Sequence, residues 1–218
     1  MARTSFSWNA KLLTAAAVCL AVVLGIFFFT PRNPWTPQER DIILLSDSVM
    51  YVTTLPKDSV VLRTPCIPVS PKAYKSKELK TLCAKMLKTV TDPSQDGVGI
   101  AASQVGIGRR VICVQRLDKE GEPFECYVNI RIDSLYGSVE RLPEGCLSIP
   151  PKRGIVPRYT GISISYVDPD SGKTRQEKVE GYTARIFQHE CDHLDGILYI
   201  DRADTVFIDT AWAQRLAQ

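Results

Sequence analysis

The sequence predicts an α+β fold, with small mixed or antiparallel sheets packed around a C-terminal helix that carries a His-Glu-x-x-His motif. Three observations predict it. An apolar stripe of helical period stands before the middle of the chain, alternating segments fill the middle, and a second helical segment follows them.

In chain order, the first feature is an 18-residue stretch without a charged side chain at 12–29, LLTAAAVCLAVVLGIFFF. At about 1.5 Å per residue it reaches the lower limit for crossing a hydrocarbon layer of roughly 30 Å. It is apolar on every face, unlike the helices of a globular surface. Arg3 and Lys11 precede it, and Phe27-Phe28-Phe29-Thr30-Pro31 offers no small-x-small cleavage site. An uncleaved membrane anchor is therefore expected ahead of a cleaved signal. The basic flank keeps the N-terminus in the cytoplasm and puts the body outside it. The alternatives are a body facing the cytosol or one secreted after cleavage. Pro31, Pro34 and Pro37 stop the helix and begin an extended segment. The expected organisation is an anchor or signal over 1–37, a linker over 38–54 and one globular domain over 55–218.

Within the domain, Leu79, Leu82, Cys83, Met86, Leu87 and Val90 recur at the spacing of an amphipathic helix, and Pro93 ends it. Residues 110–115 (RVICVQ) and 124–132 read as strands. Ile162, Ile164 and Tyr166 alternate with Ser163 and Ser165, the pattern of a half-buried strand. Asp168-Pro169-Asp170-Ser171-Gly172 is a turn, and 177–179 is the returning strand. Residues 182–195 read as a helix that Gly196 terminates.

Composition excludes other classes. Hydrophobic residues at 44% and charged residues at 23% are ordinary for a globular chain, which excludes wholesale disorder. There is no solenoid repeat and no collagen period. The net charge of +3 belongs to the flanks of the apolar stretch, because Arg3, Lys11 and Arg32 are the only charged side chains before Glu39. The remainder is neutral, so no basic surface for nucleic acid is expected. Cys19 lies in the apolar stretch, and no disulfide framework can be read from Cys66, Cys83, Cys113, Cys126 and Cys191.

The chemistry concentrates in His189-Glu190-Cys191-Asp192-His193, which contains both histidines of the chain. On a helix, positions four apart share a face, so both imidazoles reach one ion. Glu190 sits about 100° round from His189, able to touch a water held there without ligating. Cys191, at about 200°, faces away. The bland alternative is an exposed helix whose histidines pair with nearby acids. A hydrolytic site needs a third protein ligand, and with no further histidine it must be Cys, Asp or Glu. Cys146, in Glu144-Gly145-Cys146-Leu147-Ser148, is one candidate; its alternative is a small apolar residue in a turn. Gly97-Val98-Gly99 lacks the rest of a phosphate loop and suits close backbone approach to a bound peptide, with Gln104 as amide donor.

Together these segments resemble the peptide deformylase family, whose marks are G-x-G-φ-A-A-x-Q (φ apolar), E-G-C-L-S and Q-H-E-x-D-H-L-x-G. They stand here at 97–104, 144–148 and 188–196, in that order. Val61-Leu62-Arg63 and Ile155-Val156-Pro157-Arg158 extend the likeness. The resemblance implies a deformylase-like catalytic domain over 55–218. It implies one divalent metal on Cys146, His189 and His193, ferrous iron ahead of zinc, nickel or cobalt. It implies hydrolysis of N-formylmethionyl peptides to formate and a free N-terminus. Glu190 would take the proton of the attacking water and pass it to the leaving amine. Gln104 and the Leu147 backbone N–H would stabilise the oxyanion. Val98, Gly99 and Gly145 would line the peptide cleft by strand addition. Arg158 is expected to pair with Asp192, which is otherwise a solvated helix residue. The first 54 residues depart from the family pattern, and export would direct the domain to released or exported formyl-peptides rather than nascent chains.

Two other readings remain at this stage. A zincin-type metallopeptidase would take its third ligand after His193, from Asp195 or Asp201. A formyl-peptide binding module would have no need of Glu190 as a proton carrier.

Overall fold

The computed structural model describes residues 34–95 and 97–216. The apolar stretch at 12–29 lies outside them. Among the described residues no helix is long and apolar enough to cross a membrane.

The compact unit begins at Pro34 rather than at residue 55, which corrects the expected linker. Helix α1 (Pro37–Leu45) opens with a capping box: Glu39 N–H donates to the Thr36 hydroxyl, and Thr36 N–H donates to the Glu39 carboxylate. Pro37 occupies a first-turn position where its missing N–H costs nothing. Trp35 and Ile43 bury almost completely in the core cluster that holds Leu79, Leu82, Met86 and Val90. Arg109 locks this segment down. Its guanidinium lies over the Trp35 ring and donates to Glu39 and to the Pro34 carbonyl. Pro34 and Pro37 therefore start a docked segment, because burial of Trp35 and Ile43 outweighs the prolines' local bias towards extended chain.

The short α2 (Ser59–Arg63) follows, then α3 (Lys77–Val90), whose N-cap Ser76 accepts from Leu79 N–H. Strands β1 (Gly99–Ala101), β2 (Val111–Gln115), β3 (Phe124–Gly145), β4 (Lys152–Val167) and β5 (Thr174–Glu180) then pair in sequence order, all antiparallel. Helix α4 (Gly181–Leu194) comes next, then β6 (Thr205–Ile208), which pairs with the start of β4, and α5 (Thr210–Leu216). The class is α+β and the pairing antiparallel, both within the expectation, but the described strands form one six-stranded sheet rather than several small ones. The motif helix is not last in the chain either, since β6 and α5 follow it.

β2 shows why the sheet sits where it does. Val111 and Cys113 face the α3 cluster, while Ile112 and Val114 face the α4 cluster. A strand covered on both faces reads as a continuous apolar run, which is what VICV is. Cys113 and Cys126 stand opposite each other in the β2–β3 register and form a disulfide. Their pairing follows from strand register, which no spacing rule in the sequence revealed. The long β3–β4 hairpin bends at three register shifts and returns Glu144 to Arg185 and His189 of α4. Just past the C-terminal end of α4, Gly196 has φ of +73°, and its Cα lies so close to the Arg63 carbonyl that any Cβ would overlap it. Only glycine ends α4 there.

Candidate metal centre and active site

Helix α4 is buried along almost its whole length, including the polar side chains Arg185, Gln188, His189, Glu190, Asp192 and His193. Burying polar groups is costly unless they are paired, so the partners of each one matter. Gln188 donates to the Tyr159 carbonyl and accepts from Tyr159 N–H, tying the helix to β4. Asp192 accepts from Arg158 and, through both oxygens, from Arg202. The Arg158–Asp192 pair is present, and Asp192 is buried rather than solvated.

Glu144, at the end of β3, is the hub of a buried network. Its carboxylate accepts two bonds from Arg158, at 2.9 and 3.0 Å, and one from Arg185 at 2.7 Å. It also faces His189 Nδ1 at 3.0 Å. Burial alone would raise its pKa, yet the bond to His189 and those from Arg158 hold the carboxyl far below the usual range. With Nδ1 engaged, the Nε2 edge of His189 is left for an inner partner, the arrangement typical of a metal-bound histidine.

The inner partners lie close together. Cys146 Sγ is 3.2 Å from His193 Nε2, and ligand atoms of Cys146, His189 and His193 all fall within 4.8 Å of one another. Tetrahedral ligation with bonds of roughly 2.3 Å to sulfur and 2.1 Å to nitrogen puts neighbouring donors about 3.6 Å apart, so this donor set fits one transition-metal ion. Burial lowers the His193 pKa well below its ordinary value, helped by the charges of His189 and Arg158, which leaves a neutral imidazole. For His189 burial acts the same way, but the bonds to Cys146 and Glu144 outweigh it and raise the pKa. A cation among these atoms displaces that proton. Asp195 and Asp201 are turned elsewhere, towards Arg110 and Arg63. No metal-ligating cluster includes them among the described residues.

Glu190 sits one position along from His189. Its Oε2 is buried without a hydrogen-bond partner among the described residues. Burial pushes its pKa up to about 7, with His189 and Arg158 opposing and Glu144 adding. An unpartnered carboxylate near neutrality, in a cleft, is suited to proton transfer. Gln104 is aimed by its backbone: Ala101 N–H donates to its Oε1, which turns its Nε2 towards Cys146 Sγ at 3.5 Å and Ser148 Oγ at 3.2 Å. The Leu147 N–H has no hydrogen-bond partner among the described residues. Val98, Gly99, Gly145 and Leu147 line the same cleft of about 240 Å³ as Gln104, Cys146, His189 and Glu190.

Gly99 is where close approach matters. A Cβ there would stand 2.6 Å from Glu190 Oε1 and 2.8 Å from Ile186 Cγ2. Gly99→Ala is therefore expected to displace Glu190 and lower kcat by about 10²-fold, the cost of an ångström-scale misplacement. Metal content should stay unchanged; titration of bound metal alongside the kinetics checks both halves.

The sequence profile of the polypeptide deformylase family matches residues 49–207. The chain belongs to that family. Among deformylase relatives, one from Desulforudis audaxviator is 45% identical over 111 residues, 51% of this chain and 70% of its own length. A second, peptide deformylase 2 of Pseudomonas syringae pv. tomato, is 40% identical over 141 residues, 62% of this chain and 77% of its own. Among solved deformylases, the Acinetobacter baumannii class I type b enzyme with Met-Ala-Ser bound superposes with TM-score 0.63 at 34% identity, covering 71% of this chain and 98% of that one. The Synechococcus elongatus deformylase in complex with actinonin gives TM-score 0.64 at 32% identity, covering 78% of this chain and 88% of that one.

Several residues of the site were not legible in the sequence. Glu144 was visible only as a letter of the cysteine motif, and its role as hub needs the returning β3–β4 hairpin. Arg185 and Arg202 carried no signal, because their carboxylate partners lie 41 and 10 positions away. Trp212 and Arg215 of α5, which also line the cleft, lie past the last recognisable motif.

Proposed function

We propose that this deformylase works on short N-formylmethionyl peptides with ferrous iron on Cys146, His189 and His193, zinc, nickel or cobalt being the alternatives. As a family member the chain is a metal-dependent hydrolase that removes the N-formyl group from peptides. One observation carries the assignment of roles: a three-donor set lies beside a buried carboxylate that has no partner among the described residues and faces the same cleft.

A divalent ion held by these donors supplies Lewis acidity, lowering the pKa of a water and polarising the formyl oxygen. Glu190 accepts the proton of the attacking water and delivers it to the leaving amine. The Gln104 amide and the Leu147 N–H donate to the oxyanion. Backbone at Val98, Gly99 and Gly145 offers the edges against which an extended peptide pairs. The Met-Ala-Ser complex of the Acinetobacter enzyme supports this ligand class. Soft thiolate with two imidazoles suits iron, zinc and their neighbours rather than magnesium or calcium.

Formate release from formyl-Met-Ala-Ser, with metal content measured in parallel, tests the reading. Cys146→Ala is expected to bring bound metal to background and to lower kcat/KM by about 10³-fold or more, since the ion is worth several kcal/mol. A variant that keeps its metal would favour a zincin-type site instead.

For location, the reading is a domain anchored through 12–29 and facing away from the cytoplasm. The hydropathy of that stretch and its basic flank support it. So does the Cys113–Cys126 disulfide, because such bonds persist in oxidising compartments. Protease added to intact cells should then degrade the domain; protection until lysis would place it in the cytosol.

A further inference from the structure

Helix α5 lies wholly beyond the span matched by the family profile, yet Trp212 and Arg215 line the catalytic cleft. Its placement is built, not incidental. β6 pairs with the start of β4, Arg153 opposite Phe207. Arg153 donates to Asp209 at 2.6 Å and lies over the Trp212 ring. Asp209 in turn accepts from Trp212 N–H at 2.9 Å. The indole is thereby held over Gly145, its Cζ3 being 3.4 Å from where a Cβ would stand. That is the residue next to Cys146, so the aromatic wall adjoins the reacting centre.

Three arginines line this cleft, and two are neutralised: Arg153 by Asp209 and Arg185 by Glu144. Arg215 is exposed and forms no ion pair among the described residues. It follows Trp212 by three positions, hence on the same face of α5. The cleft, about 240 Å³, is slightly smaller than the roughly 300–1,000 Å³ of common ligand sites. A peptide of a few residues would fill it and end near the exposed Arg215 charge, which acts on Asp209 only at a distance.

We infer that Trp212 and Arg215 are specificity-determining residues that select short formyl-peptides bearing a free C-terminal carboxylate. Trp212 packs on the peptide beyond the formylated residue, and Arg215 pairs with the terminal carboxylate. The inference rests on the deformylase reading and deepens it, because a nascent chain still attached to tRNA has no such carboxylate.

The test compares formyl-Met-Ala-Ser with its C-terminal amide on the metal-loaded full-length protein. Wild type should favour the acid by about two- to five-fold in kcat/KM, the range of an exposed ion pair. The preference should appear in KM and shrink at high salt. Arg215→Ala should abolish it, and Arg215→Glu should reverse it. Trp212→Ala should raise KM for both peptides and leave their ratio alone. An acid-to-amide ratio that is the same in wild type and both Arg215 variants overturns the part given to Arg215, and an unchanged KM in Trp212→Ala overturns that of Trp212. If no formate is released from either peptide, the deformylase reading itself fails, a result distinct from both.

Discussion

Glu190→Gln is expected to lower kcat by about 10²–10⁴-fold, the usual contribution of a positioned general base, while metal content and peptide affinity stay near wild type. The side chains are nearly isosteric, so the contact with Gly99 is conserved. What is lost is the capacity to take a proton. Glu190 is equipped for that and little else: it is buried, its Oε2 has no partner among the described residues, and burial has moved its pKa to about 7. A structural carboxylate in so dry a place would be paired, as Glu144 and Asp192 are. Formate release and binding of a formyl-peptide, measured on one preparation, distinguish catalysis from mere capture. Activity within ten-fold of wild type would remove Glu190 from the reaction.

Glu144→Ala should be the most damaging change outside the donor set. It leaves Arg158 and Arg185 buried without their shared carboxylate, and the usual cost of breaking such a pair is about 3–5 kcal/mol. It also frees His189 Nδ1, so metal affinity should fall by about 10–100-fold, the effect of losing an outer hydrogen-bond partner. Glu144→Gln keeps the shape and one acceptor oxygen, and should fall between. Thermal unfolding with excess metal and with chelator separates the two losses: both variants should be destabilised in chelator, where ligation contributes nothing. Wild-type stability in chelator combined with weakened metal binding would confine Glu144 to orienting His189.

The two helices predicted at 79–90 and 182–195 match α3 and α4 because each repeats apolar side chains with a helical period and has a stop signal behind it. The strands at 110–115 and 162–166 were readable for a similar reason, although Ser165 is as buried as its apolar neighbours. By contrast α1 went unread, even though Thr36-Pro37-Gln38-Glu39 is a capping box with proline in the first turn. Its nine residues bury few side chains of their own. Its stability comes from Trp35 and Arg109, and Arg109 lies 70 positions from the Glu39 it holds. Short helices of this kind depend on packing rather than propensity.

The candidate site divides along the same line. His189, Glu190 and His193 could be placed together from the chain alone, because helical geometry sets the angles between neighbours four or fewer positions apart. Cys146 could be named as a donor, through its motif, but not brought to His193. That meeting depends on the β3–β4 hairpin crossing 47 positions of sequence. The same hairpin brings Glu144 to His189, and β6 carries Trp212 and Arg215 to the cleft. Local pattern encodes local geometry, so the chain announces the proposed proton carrier and two of the three candidate metal donors. Which carboxylate steadies them, and what forms the far wall of the cleft, depends on strand register and long-range burial, which no stretch of sequence contains.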